Sequence, residues 1–284
     1  MFRKVSDFDG DGKADFAITR NEGGFKYWWI LQTTGGTRVV HWGLSTDNRA
    51  ASDYDSDGKT DIAVFRGPST FPSDYTFYIL QSQTNTLSQT TFTTFGNFGS
   101  EMMHQDYNGD GRADVGVVTG EFGLSRPLSV RYSGGGSFSS QIPAGATTIR
   151  AGDMDGGGNA DVAYYTLSGN VVTIETNPPR TVHFGISSDQ YVMADFDGDG
   201  KGELALWRGS AGTWWWIRSS DGVVNAAKWG IDGDTPVPAD YDGDGKTDLA
   251  VWRSGTPGVF WINGSQNGFS ARAWGTTGDQ AVQY

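Results

Sequence analysis

A nine-residue acidic stretch returns six times along the chain and restricts its fold more than any other feature. The fullest copy is Asp240-Tyr241-Asp242-Gly243-Asp244-Gly245-Lys246-Thr247-Asp248, with carboxylates at positions 1, 3, 5 and 9 and glycine at 4 and 6. Four such charges do not gather unaided. At an effective dielectric near 20, each like-charged pair about 4 Å apart costs roughly 4 kcal/mol. A hard cation with an all-oxygen shell removes that cost, and calcium, with its loose geometry, suits such a loop better than magnesium, which demands a tight octahedron and keeps its waters. The alternating spacing turns every second side chain inward, and the glycines permit a sharp turn that a Cβ resists.

The other copies span 7–15, 53–61, 106–114, 153–161 and 195–203, at successive steps of 46, 53, 47, 42 and 45 residues. Such regularity denotes a repeat architecture filling one domain, 1–284. The candidate ligands are Asp7, Asp9, Asp11 and Asp15; Asp53, Asp55, Asp57 and Asp61; Asp106, Asn108, Asp110 and Asp114; Asp153, Asp155 and Asp161; Asp195, Asp197, Asp199 and Glu203; and Asp240, Asp242, Asp244 and Asp248. The position-7 residues Lys13, Lys59, Arg112, Asn159, Lys201 and Lys246 are counted with them. Each loop resembles the first half of an EF-hand loop, but its closing acid comes at position 9 instead of 12. Loop three has Asn108, whose amide oxygen still coordinates, and loop five closes with the longer Glu203. Loop four has Gly157 in place of its third carboxylate, for which Asn159 compensates only in part. Its occupancy is left open, so five to six calcium ions are expected.

The loops hold 22 of the 33 acidic residues, so the formal charge of -12 is mostly a ligand inventory. Six dications bring it to zero and five to -2. With 11 Trp, 11 Tyr and 16 Phe among 284 residues, the chain has the material for an aromatic-rich core, unlike a disordered acidic chain. There is no cysteine, hence no disulfide and no thiol chemistry. The 21 basic residues form no run, which argues against nucleic-acid binding. No apolar run reaches the ~18 residues of a membrane span. Met1-Phe2-Arg3-Lys4-Val5 has no apolar core after its basic residues, so either a leader has been removed or the sequence is part of a longer chain or assembly. Weak calcium sites suit surroundings rich in calcium, and on that argument an extracellular location is expected.

Each loop is followed by an apolar strand such as Ile62-Ala63-Val64-Phe65-Arg66, a glycine-rich turn, and an aromatic strand such as Thr213-Trp214-Trp215-Trp216-Ile217. A further strand ends in aromatic-Gly: Trp42-Gly43, Phe95-Gly96, Phe184-Gly185, Trp229-Gly230 and Trp274-Gly275, replaced by Ile142-Pro143 in the fourth repeat. Four short strands per repeat of about 45 residues, without a 3.6-residue period, describe an all-β propeller blade. The repeat resembles the FG-GAP or VCBS type, found in integrin α-subunit propellers and many secreted bacterial proteins. The resemblance implies that each acidic loop joins the innermost strand of a blade to the second and that all six loops share one face.

A second pattern concerns closure. Asp47, Asp189 and Asp234 follow aromatic-Gly at a fixed offset, and the blades they begin carry Arg66, Arg208 and Arg253 at the end of the second strand. The equivalents in repeats three and four are Ser100 with Thr119 and Thr147 with Thr166. Asp and Arg come and go together, as a charge-assisted pair requires, in preference to a ring of arginines receiving an anion. Arg20 and Asp279 are left over and pair across the termini, sealing six four-stranded blades, with seven as the alternative. Residues 279–284 and 1–6 then compete for one strand slot.

No catalytic constellation is present. His41 and His183 share a repeat position, His104 precedes the third loop, and acids such as Glu22, Asp74, Glu121 and Glu175 are scattered among blades. Recognition remains. Tryptophans near turns, Trp28, Trp214 and the pair Trp252 and Trp261, are candidates for stacking against a sugar, although inter-blade core is the default for alternating tryptophans. The turns 67–74 and 120–127 are the most irregular and are expected in any partner site. The reading is a calcium-stabilised recognition or adhesion propeller and not an enzyme, with carbohydrate as the first ligand class and a protein surface as the second. The alternatives are the propeller of a polysaccharide lyase or hydrolase, or an architectural subunit.

Overall fold

The computed structural model describes residues 6–67, 73–94, 101–121, 123–166, 171–175 and 180–282. Phe95, Gly96, Ser100, residues 68–72 of one irregular turn and Phe122 of the other lie outside them. The strands form six antiparallel four-stranded sheets, the blades of a propeller. In blade two the order from the axis outward is Asn48–Arg49, Ile62–Arg66, Ser73–Leu80 and Leu87–Thr94. In blades two to six the acidic loop links the first strand to the second, and in blade one it leads from Ser6 into Phe16–Glu22, the first strand being Gln280–Ala281.

Alternation along the strands builds the core. Successive side chains of a strand face opposite sides of the sheet. Ile62 and Val64 therefore pack against blade one, and Ala63 and Phe65 against blade three. Repeated around the ring, this gives six apolar clusters, one between each pair of neighbouring blades.

The aromatic-Gly element fastens the ring on one side. Trp42, Trp229 and Trp274 donate Nε1 to the carbonyls of Tyr78, Trp261 and Trp29 in the following blade, at 3.0, 3.0 and 3.1 Å. The glycine after each tryptophan is required. Gly43 has φ +102°, and a Cβ there would lie 2.9 Å from Val64 Cγ1.

The acidic loops fasten the other side. The position-8 N–H of each loop donates to the position-1 carbonyl of the preceding one: Thr60 to Asp7, Ala113 to Asp53, Ala160 to Asp106, Gly202 to Asp153, Thr247 to Asp195, and Ala14 to Asp240, at 2.6–2.7 Å. The last of these joins the first loop to the sixth, so the circle closes at six blades. The competition for a strand slot resolves by sharing. Gln280 and Ala281 pair with Thr19 and Ile18, Val282 N donates to the Ala17 carbonyl, and Ser6 accepts from Asp15 N at the inner end of the same slot.

The four predicted latches are all bidentate. Asp279 accepts from Arg20 Nε and Nη2 at 2.6 and 2.8 Å, and Asp47–Arg66, Asp189–Arg208 and Asp234–Arg253 repeat the arrangement. Blade three replaces its missing pair with Glu101 and the fully buried Arg126, 3.1 Å apart.

Candidate metal centres and ligand pocket

Each acidic loop is shaped by its own first and last carboxylates. In loop one, Asp7 accepts the N–H groups of Gly10 and Gly12 at 2.6 and 2.9 Å, and Asp15 those of Phe8 and Thr33 at 2.8 Å. In loop six, Asp240 holds Gly243 and Gly245, and Asp248 holds Tyr241 and Ser265. The turn between the third and fourth strands lends hydroxyls that the sequence reading did not assign. Thr33, Ser82, Ser219 and Ser265 donate to the position-5 carboxylates Asp11, Asp57, Asp199 and Asp244. A hydroxyl residue at the end of every third strand was the signal available for them.

Five loops bring carboxylate oxygens within 4.8 Å of one another: Asp7, Asp9 and Asp15; Asp53, Asp55 and Asp57; Asp153, Asp155 and Asp161; Asp195, Asp197, Asp199 and Glu203; and Asp240, Asp242 and Asp248. Asp11, Asp61 and Asp244 stand outside the tight sets of their loops, as do Asp106, Asp110 and Asp114 of loop three. In loop three Asn108 turns its amide toward Asp110, with Nδ2 donating at 3.2 Å. Burial, followed by the loop's own neighbouring carboxylates, pushes the closing acids up against the pull of their N–H donors: Asp15 and Glu203 to about 7, Asp61, Asp114, Asp161 and Asp248 to about 6. Asp242 Oδ1 is buried without a hydrogen-bond partner. Crowded carboxylates and an unpaired buried oxygen are the donor set a hard dication takes, so the residues fit calcium.

The position-7 side chains do something else. Those of Lys13, Lys59, Lys201 and Lys246 lie along Gly243, Gly10, Gly156 and Gly198 of the preceding loops. Asn159 follows the same path. Its Oδ1 lies 2.6 Å from where a Cβ on Gly109 would stand. It is therefore directed at loop three and does not replace the ligand that Gly157 removes from its own loop.

The tryptophan assignments need correction. Trp28 and Trp214 are 0% exposed and Trp252 is 3%. Their indole N–H groups are spent on the aromatic-Gly carbonyls of Trp42, Trp229 and Trp274. Alternation sends them into the inter-blade core, so no sugar reaches their faces. Trp261 is half-buried, lies under the Arg253 guanidinium and stacks on Phe269, and its Nε1 is buried without a partner. Its counterpart in blade one, Trp29, was not singled out. It lies under Arg20, 4.8 Å from the guanidinium carbon, and its Nε1 is also a buried donor without a partner. Trp29, Arg20, Pro257, Trp274 and Gly275 line a pocket of about 260 Å³ between blades six and one. His104 is half-buried, and desolvation of its ring lowers its pKa to about 4, so it is neutral at ordinary pH.

The fold defines a six-bladed β-propeller with an acidic loop in every blade. Residues 7–64 and 195–251 match the family described as FG-GAP-like repeat. No curated protein matches the sequence significantly. Among solved structures, BBS1N, determined in complex with ARL6DN, is 14% identical with a TM-score of 0.54, covering 96% of this chain and 81% of that one. A lectin of Agrocybe aegerita that recognises non-reducing terminal N-acetylglucosamine is 18% identical with a TM-score of 0.54, covering 93% and 77%. The six-bladed fucose-recognising lectin of Aleuria aurantia is 12% identical with a TM-score of 0.53, covering 92% and 95%. These likenesses are of fold. Among the described residues no helix is long and apolar enough to cross a membrane.

Proposed function

We propose that the chain is a calcium-stabilised, carbohydrate-binding propeller that recognises rather than transforms its ligand and works outside the cell. The pocket between blades six and one carries this reading. Its volume of about 260 Å³ suits one sugar ring, and its indoles offer faces for the apolar side of a pyranose. Lectins among the structural neighbours support the ligand class. Binding without catalysis is supported by how the acids are used. The loop carboxylates are crowded as cation ligands, and those of the latches are tied to arginines. Calcium, when bound, supplies the positive charge that lets each loop close, with Asp7, Asp9 and Asp15 and their equivalents as its carboxylate ligands. Millimolar calcium outside cells matches the weak affinity expected of short, exposed loops.

On a glycan array, the wild-type protein is expected to bind a defined set of glycans, and Trp29→Leu to lose roughly tenfold or more of that affinity, since an aromatic anchor commonly contributes over 1 kcal/mol. Its melting point should fall by a few degrees, because Trp29 packs on the apolar cluster between blades six and one and lies under Arg20, but the protein should remain folded at the assay temperature. Undiminished glycan binding by a folded Trp29→Leu protein would remove the pocket from consideration, and an array without any binding would remove the function.

A further inference from the structure

One position of the first strand repeats in every blade. It pairs with the second residue beyond the closing acid: Ala50 with Ala63, Met103 with Gly116, Val192 with Ala205, Val237 with Ala250 and Val282 with Ala17. All five are apolar and buried. In blade four the same position, opposite Ala163, is Arg150. The propeller does not need a cation there, since five blades close without one.

The guanidinium has no carboxylate in its grasp. Nε donates to the Tyr191 carbonyl at 2.9 Å and Nη1 to the Ile149 carbonyl at 2.8 Å, both neutral acceptors, while Nη2 has no protein partner among the described residues. Glu101 is the acid whose field reaches Arg150, and it is already held by Arg126. Asp189 is near, but both its oxygens are bound by Arg208. Burial accordingly lowers the Arg150 pKa, as expected of a cation short of a counter-charge. Arg150 lines an axial cavity of about 250 Å³ bounded by the first strands, together with Thr148, Gln190 and Ser6. Arg150 is half-buried, and a guanidinium lining a cavity without a carboxylate partner is well shaped for bidentate contact with an oxyanion.

We propose that the axial cavity is a binding site for one small oxyanion, a sulfate, phosphate or carboxylate, with Arg150 as its cation. The cavity adjoins the acidic loops at Ser6, Ala194, Ala239 and Tyr241 but takes its cation from Arg150; it is distinct from the inter-blade pocket, and the proposal does not depend on the carbohydrate reading.

The test is calorimetric titration and thermal melting of the intact protein with sodium sulfate, phosphate, acetate or glucuronate, against sodium chloride at equal ionic strength. Wild type is expected to bind one anion per chain and to melt higher than in chloride. The ranking of the four anions tells an inorganic oxyanion from an organic acid. Arg150→Met should weaken binding by roughly tenfold or more, through loss of charge-assisted hydrogen bonds. It should also melt no lower than wild type when oxyanions are absent. Arg150→Lys keeps the charge without the planar fork and should bind at intermediate strength, so it tests the proposal should Arg150→Met fold poorly. Equal oxyanion effects in wild type and Arg150→Met, or in wild type no gain over chloride with any of the four, would overturn it.

Discussion

Stripping divalent cations from the protein should lower its melting temperature by about 10–15 °C. The five tight carboxylate sets, each held at about ten times a Kd near 0.1 mM, would together contribute about 7 kcal/mol. For a chain of 284 residues each kcal/mol moves the midpoint by roughly 2 °C. The pH dependence should reverse with the metal. The closing acids are raised from an unfolded value near 4 to about 6 or 7. In metal-free protein the folded state then keeps protons that the unfolded state has released. That stability is fully present below about pH 4 and is lost as pH rises through 6 to 7, so the stripped protein should melt higher at pH 5 than at pH 7.5. Loaded protein should show the opposite trend, because protons compete with the cation for the same oxygens. Calorimetry at both pH values, with metal content checked by elemental analysis, reads both effects. An unchanged midpoint after verified removal would mean that the backbone N–H donors alone hold the loops.

The second large effect concerns closure. Arg20→Met should destabilise the protein by about 3–5 kcal/mol, because it strands a buried carboxylate. The Asp279 side chain is 1% exposed, and Thr276 N, at 2.7 Å, would be its one remaining donor. Asp279→Asn should cost only about 1–2 kcal/mol, since the Arg20 side chain is 28% exposed and can turn to water and Glu22. The location of the damage separates this latch from its equivalents. Arg208→Met breaks a pair within blade five, whereas Arg20→Met frees the segment that joins the chain end to blade one. Hydrogen exchange should therefore quicken selectively at 280–282 in Arg20→Met and not in Arg208→Met. Equal exchange in the two variants would mean that the latch plays no special part in sealing the ring.

Much of this was legible in the chain because the repeat exposes it. A blade must reuse its loop, its aromatic-Gly and its Asp–Arg pair at the same offsets, so comparison within the sequence replaced comparison between relatives. Arg20 and Asp279 were found as leftovers of that pattern and do pair. What escaped lies between repeats or breaks them. Glu101 and Arg126 rebuild a lost latch one residue from one expected position and seven from the other, where no periodic search looks. Asn159 was assigned to its own loop because sequence neighbours suggest it, yet position 7 reaches across to the preceding loop. Trp28 and Trp29 are adjacent and chemically identical in the sequence. Only the direction of the pleat sends Trp28 into the core and leaves Trp29 lining a pocket. The six hydrogen bonds between loops join main-chain atoms, which carry no sequence signal.

The central claim is that the acidic loops gather around divalent cations and thereby pin the ring. Anomalous diffraction from crystals grown in calcium tests it most directly. The account predicts peaks within coordinating distance of Asp7, Asp9 and Asp15 and of the gathered carboxylates in the loops beginning at Asp53, Asp195 and Asp240, with weaker occupancy in the loops beginning at Asp153, where Gly157 supplies no ligand, and at Asp106, whose carboxylates form no tight set. Loops free of anomalous signal at saturating calcium, with their carboxylates held as closely as before, would contradict it.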